Sequence, residues 1–219
     1  MKRFLPLLFC CTAQAVTFDD IVGYIDETFD VSATTDKDGD YYFTLNASHQ
    51  VNDTWRVFGE YDTNHNYELG VGYSFFTSFL YNELYVKAAN TSFTTSKPYV
   101  GLFSATVVGE TVLYTNLETG YATGYYKGEY IDVDYEGIDF NKSIGALYDV
   151  TDWMTIGYSF NHDKTWHRTE FERLGTTKFN GAMQYQDISA TFDIKGIKPS
   201  VTYTFGDTTK IEFGFKFDF

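Results

Sequence analysis

The sequence predicts an all-β chain closed into a transmembrane, antiparallel, up-and-down barrel of about twelve strands. Three observations carry this. First, apolar and polar residues alternate with period two along most of the chain, the signature of strands with one apolar face. Second, the final nine residues put Ile211, Phe213, Phe215, Phe217 and Phe219 on one face and Glu212, Gly214, Lys216 and Asp218 on the other. In water such a strand is a pairing hazard. In a bilayer the same stripe faces lipid, and its edge closes against the first strand. Third, aromatic residues make up 20% of the chain, with 19 Tyr and 21 Phe, yet mean hydropathy is only −0.28. No apolar run approaches the ~20 residues of a membrane helix. A polar average over alternating aromatic strands is what a lipid-facing surface around a wet interior produces. A soluble sandwich or lipocalin-like barrel fits poorly, because its outer face meets water.

The elements follow in order. Phe29, Val31 and Ala33 alternate with Asp30, Ser32 and Thr34; Tyr41, Phe43, Leu45 and Ala47 alternate with Tyr42, Thr44, Asn46 and Ser48. Trp55, Val57, Gly59 and Tyr61 come next, then Tyr67, Leu69, Val71, Tyr73 and Phe75 opposite Glu68, Gly70, Gly72 and Ser74. Residues 79–89 are strand-like on an ambiguous face. Tyr99, Gly101, Phe103, Ala105 and Val107 alternate, and 111–118 are weakly strand-like. Ile144, Ala146, Tyr148 and Val150 precede a turn; Met154, Ile156, Tyr158 and Phe160, then Ile188, Ala190, Phe192 and Ile194, are strong sets. Val201, Tyr203 and Phe205 lead to the last strand. The stretch 108–140 is the weakest and leaves ten strands open.

The N-terminus supplies an export signal. Met1-Lys2-Arg3 is basic, Phe4 to Cys11 is apolar, and Thr12-Ala13-Gln14-Ala15 ends in Ala-x-Ala. This predicts a signal peptide over 1–15, cleaved after Ala15. The remainder, 16–219, reads as one barrel domain with a leader of uncertain structure at 16–27. Cys10 and Cys11 leave with the signal peptide, which excludes a disulfide-stapled fold.

The C-terminus resembles the targeting signal of Gram-negative outer-membrane barrels: a polar residue, a Gly two later, and apolar residues three and five after that, the last being terminal Phe. Here these are Glu212, Gly214, Phe217 and Phe219. The resemblance implies an outer-membrane location, insertion by the barrel assembly machinery and a periplasmic C-terminus. Counting back, connections near 206–209, 163–180, 119–138, 90–97, 62–66 and 36–39 become extracellular. Those near 195–197, 150–152, 108–110, 76–78 and 51–54 become periplasmic. Long connections fall outside and short ones inside, as that class does. Two inner turns, Val51-Asn52-Asp53-Thr54-Trp55 and Val150-Thr151-Asp152-Trp153, have Asx-type chemistry and set a Trp at the lipid boundary.

Charge and composition exclude some functions. The net charge of −14, without Lys/Arg clusters, argues against a nucleic-acid partner. The four histidines, His49, His65, His162 and His167, do not match the His-x-Ser pattern of outer-membrane lipid hydrolases. His167 reads as a solvated loop residue, so no enzyme is expected. No cofactor is expected either. Asp36-Lys37-Asp38-Gly39-Asp40 starts like a calcium loop but lacks its sixth-position Gly and reads as a tight turn. Asp132, Asp134 and Glu136 share one face of an expected extended outer loop and are a candidate divalent-metal site.

The strand faces opposite the apolar stripes predict a lumen lined by Arg56, Glu60, Glu68, Asp187, Asp193, Glu212 and Lys216, with small Ser, Thr, Asn and Gly between them. Acids prevail there, which favours cations. Small twelve-strand barrels include porins for acidic oligosaccharides with basic interiors; this chain departs from them. The expected function is a narrow passive channel for small polar or cationic solutes. The alternative is a closed structural barrel whose acidic outer loops bind a partner or, through divalent cations, lipopolysaccharide. A homo-oligomer stays open.

Overall fold

The computed structural model describes residues 28–91, 94–127, 132–172 and 175–218. The expected signal peptide, the leader at 16–27 and Phe219 lie outside the described residues.

Twelve antiparallel strands form one closed sheet. They are β1 (Thr28–Asp36), β2 (Tyr41–Asn52), β3 (Trp55–Asp62), β4 (Tyr67–Thr77), β5 (Leu80–Thr91), β6 (Thr94–Val108), β7 (Thr111–Lys127), β8 (Asp132–Thr151), β9 (Met154–Phe171), β10 (Gly175–Phe192), β11 (Ile197–Gly206) and β12 (Lys210–Asp218). Each pairs with the next, and β12 closes on β1 in register from Thr28↔Asp218 to Asp36↔Lys210. Closure leaves no open edge, so backbone groups are satisfied within lipid.

Alternation sorts the side chains. Along β2, Tyr41, Phe43 and Leu45 are exposed outward while Tyr42, Thr44, Asn46 and Ser48 are half-buried. The outward belt continues through Leu69, Val86, Val100, Leu113, Ile144, Ile156, Ile188, Tyr203 and Phe213, all exposed. The closed sheet with this apolar belt is an outer-membrane barrel. At the end carrying the termini, Asn52 Oδ1 accepts the Thr54 and Trp55 amides at 3.0 and 3.1 Å, and Thr151 Oγ1 accepts the Trp153 amide at 3.4 Å. Trp55 and Trp153 follow these two turns and face outward. At the opposite end Asp36 Oδ1 accepts the amides of Asp38 (2.9 Å) and Asp40 (3.1 Å), with Gly39 at φ +85°. That is the tight turn expected there.

The strands differ sharply in length. β1, β3 and β12 have 9, 8 and 9 residues, whereas β8, β9 and β10 have 20, 18 and 18. The expected extracellular connections at 119–138 and 163–180 are therefore corrected. β7 runs to Lys127, β8 begins at Asp132, β9 runs to Phe171 and β10 begins at Gly175. Above the bilayer a strand needs backbone pairing but no apolar stripe, so hydrophobic alternation fades while the ladder continues. Trp166 consequently stands on β9, outward and paired with Ile138, rather than in an aqueous loop.

A second correction concerns β6. Its apolar set Tyr99, Gly101, Phe103, Ala105 and Val107 points inward. The register fixes this: Glu83↔Phe103 and Tyr81↔Ala105 join them to the inward face of β5. Tyr81, Ala105 and Val112 are buried together, with Phe103, Val107, Tyr114 and Leu147 packed around them. A small apolar core thus sits inside the barrel, in the half where β1 begins and β12 ends.

Candidate functional site: the lumen

The register puts Arg56, Glu60 and Glu68 on the inward faces of β3 and β4, with Glu60 directly opposite Glu68. All three line a cavity of ≈ 420 Å³. Phe58 also lines it, and across the lumen Phe103, Ala105, Val112, Tyr114 and Leu147 complete it. One wall is thus charged and the facing wall apolar. Asp193 and Lys216 both line a second cavity of ≈ 660 Å³, at the mouth where β1 begins and β12 ends, with Asp149, Thr191 and Lys198. Asp187 and Glu212 lie on inward faces between small residues. Asp187 accepts hydrogen bonds from Thr204 (2.6 Å), Asn161 (2.7 Å) and Ser159 (3.0 Å), and Glu212 from Thr34 at 3.3 Å.

Several lumen groups escaped the sequence because β5 had no clear face. Its inward set is Tyr81, Glu83, Tyr85 and Lys87; Leu84, Val86 and Ala88 face lipid. Arg56 grips Glu83 with two bonds, Nη2–Oε1 at 2.6 Å and Nε–Oε2 at 3.0 Å. The guanidinium lies 4.8 Å over the Phe58 ring, and Glu83 is only 1% exposed. Such a fork-to-carboxylate pair is among the stronger charged contacts. Lys87 Nζ bridges Glu68 (3.0 Å) and Glu118 (2.9 Å). Tyr85 and Asn141 donate to Glu118 at 3.0 and 3.1 Å.

Aromatic rings on this wall lie along it rather than across the lumen. A Cβ built on Gly101 would fall 2.1 Å from the Tyr85 ring, and one on Gly120 would fall 2.2 Å from that of Tyr99. Each glycine is the seat for a ring on the neighbouring strand. Large side chains thereby line a narrow barrel without filling it.

The ion pairs consume the central cations. Arg56 answers Glu83, Lys87 answers Glu68 and Glu118, and Lys97 faces Asp139 at 3.6 Å. Glu60, by contrast, forms no hydrogen bond or ion pair among the described residues. A carboxylate facing the lumen beside Glu68 leaves the cavity with net negative charge.

His167 is corrected from a solvated loop residue. It points inward from β9, with Nε2 3.0 Å from Asp139 Oδ1 and 2.8 Å from the Tyr135 hydroxyl. Above the membrane, burial and the charge of Asp139 push the Tyr135 phenol up to about 12, so it is neutral at pH 7. His167's hydroxyl partner is thus a phenol, which lacks the Ser–His arrangement of a lipid hydrolase. Asp132, Asp134 and Glu136 also sit differently from expectation, on the outward face of β8 rather than on a loop. Tyr125 donates to Asp132 at 2.9 Å and Arg168 to Glu136 at 3.1 Å. Among the described residues no group of three or more His, Cys, Asp or Glu is arranged to hold a metal ion.

No family model matches the chain, and no curated protein matches it in sequence. Solved structures do match. The KdgM porin is 13% identical with a TM-score of 0.65, over 88% of this chain and 99% of its own. The NanC porin is 9% identical at TM-score 0.67, over 87% and 98%. An outer-membrane channel from Pseudomonas putida F1 is 7% identical at TM-score 0.58, over 88% and 93%. At such identities the likeness is one of fold: this chain shares the closed, twelve-strand antiparallel barrel of these outer-membrane proteins.

Proposed function

We propose that this barrel is a narrow passive channel of the outer membrane for small cationic solutes. The observation that carries the reading is the central cavity, where Glu60 stands unpaired beside Glu68 while the lumen's central cations are held by other acids. A charge on the wall of a confined, weakly screened cavity sorts ions by sign. The apolar wall of Phe103, Val112, Tyr114 and Leu147 adds a preference for cations with an apolar body, since aromatic faces attract cations. The fold likeness to porins supports transport over catalysis. A neighbouring structure is of the KdgM porin with oligogalacturonate; the acid excess of this lumen favours cargo of the opposite sign.

Planar-bilayer recording of the reconstituted protein tests the reading. Expected are steady ohmic steps and a reversal potential displaced toward that of potassium in a potassium chloride gradient. An anion-selective pore would refute the cation reading, and the absence of conductance would refute the channel itself.

A further inference from the structure

Lys142, His162 and Lys164 share the outward face of β8 and β9. Lys142 pairs with His162 across the two strands, and Lys164 with Phe140. Their sequence neighbours point the other way: Asn141 donates to Glu118 and Asn161 to Asp187, both inside the lumen. Alternation therefore sends the three basic side chains out of the barrel. Lys178 on β10 continues the patch, opposite Arg168.

The surroundings make this patch unusual in a chain of net charge −14. Immediately below are Ile144 and Phe160, a direct cross-strand pair; on the flanking strands the direct partners are Leu117, Ala182 and Gln184. No acid lies among them. Among the described residues Lys142, Lys164 and Lys178 form no ion pair or hydrogen bond, and His162 Nε2 is buried without a hydrogen-bond partner. Arg168, higher up, is already committed to Glu136 and Glu170.

The height of the patch is informative. His162 is nine and Lys164 eleven residues along β9 from Trp153, the periplasmic boundary residue. At ~3.3 Å per residue and a strand tilt of ~40°, they stand roughly 23 and 28 Å above it. The apolar band of such barrels is about 25 Å tall. Lys164, and Lys142 paired level with His162, therefore meet the upper edge of the hydrocarbon, at the level of outer-leaflet headgroups.

We propose that Lys142 and Lys164, on either side of His162, form a binding site for the phosphate of an outer-leaflet phosphorylated glycolipid, the lipid A part of lipopolysaccharide. The acyl chains lie along Ile144, Phe160 and the belt below, and the phosphate takes the ammonium groups that have no protein partner. Lysine binds phosphate as a point charge and needs no fixed fork. This contact is direct and requires no bridging divalent cation. It is also independent of whether the lumen conducts.

Native mass spectrometry of the full barrel in detergent tests it, using bisphosphorylated lipid A and the same lipid with both phosphates removed. Preferential retention of the phosphorylated form is expected. Lys142→Gln with Lys164→Gln should weaken it about thirtyfold, and each single change about fivefold. Lys142→Arg with Lys164→Arg should retain binding. Heat-modifiable migration on gels confirms that each variant is folded, and the single variants serve if the double one is not. Equal retention of the dephosphorylated lipid, or undiminished binding in the Gln variants, overturns the proposal. So does displacement of the lipid by millimolar inorganic phosphate, which would mark a site for free anions.

Discussion

Glu60→Gln isolates the electrostatics of the lumen better than any other substitution. The change is isosteric, and Glu60 forms no hydrogen bond or ion pair among the described residues that it could break. Glu68 and Asp187 are poorer targets, because Lys87 holds the first and three hydrogen bonds hold the second. A sphere with the volume of the central cavity, ≈ 420 Å³, has a radius of about 4.6 Å, inside the ~8 Å Debye length at physiological salt. A unit charge ~5 Å from a passing ion is worth ~0.8 kcal/mol even at the dielectric constant of water. Removing it penalises a cation and relieves an anion by that amount. The cation-to-anion ratio should then fall by ~1.7 kcal/mol, or roughly fifteenfold. Reversal potentials in a tenfold potassium chloride gradient measure the ratio directly. At molar salt, where the screening length is ~3 Å, the difference between wild type and variant should shrink. An unchanged reversal potential at low salt would refute the assignment of Glu60 as a sign-selecting group.

Other predictions address fold and wall. Arg56→Ala strands the buried Glu83 and should cost ~3–5 kcal/mol in urea unfolding from micelles, whereas adding Glu83→Ala should recover much of the loss. Gly101→Ala must lift the Tyr85 ring off the wall, so single-channel conductance should drop while the barrel stays folded; equal conductance would contradict the ring-on-glycine packing. Trp153, in the turn that opens β9, and Trp166, on β9 itself, stand at opposite heights, so brominated lipids and an aqueous quencher applied from each side should reach them from opposite faces. Phe217 packs 6.4 Å from Phe29 at the closing seam, so Phe217→Asp should leave little folded barrel in outer membranes, measured by heat-modifiable migration.

The alternation revealed those strands whose two faces differ in kind. β2, β4 and β12 carry apolar residues on one side and small or charged ones on the other, and both their existence and their facing were legible. β5 and β6 were not, because their inward faces are themselves aromatic: Tyr81, Tyr85, Tyr99 and Phe103 resemble a lipid stripe. Only pairing with β4, whose facing is unambiguous, fixes them. The same ambiguity hid Glu83, Lys87 and Glu118, and with them the ion pairs that decide which lumen charges are spent. Of the expected lining residues, Arg56, Glu60, Glu68, Asp187, Glu212 and Lys216 fall on inward strand faces, whereas Asp193 lies just past the end of β10, exposed at the mouth. The tall outer parts of β7 to β10 were read as loops because a ladder surrounded by water leaves no hydrophobic period in the sequence.

Those tall strands give the molecule a lopsided rim. On one side, β1 to β3 and β12 end close to the bilayer surface; on the other, β8 and β9 continue for about eight residues beyond a typical membrane crossing, or roughly 20 Å. The mouth is cut obliquely, like the nib of a quill, and opens over the membrane toward the low side. For the proposed channel, solutes moving along the membrane would reach the mouth over the short strands β1 to β3 and β12, and on the opposite side would first meet the wall of β8 to β10.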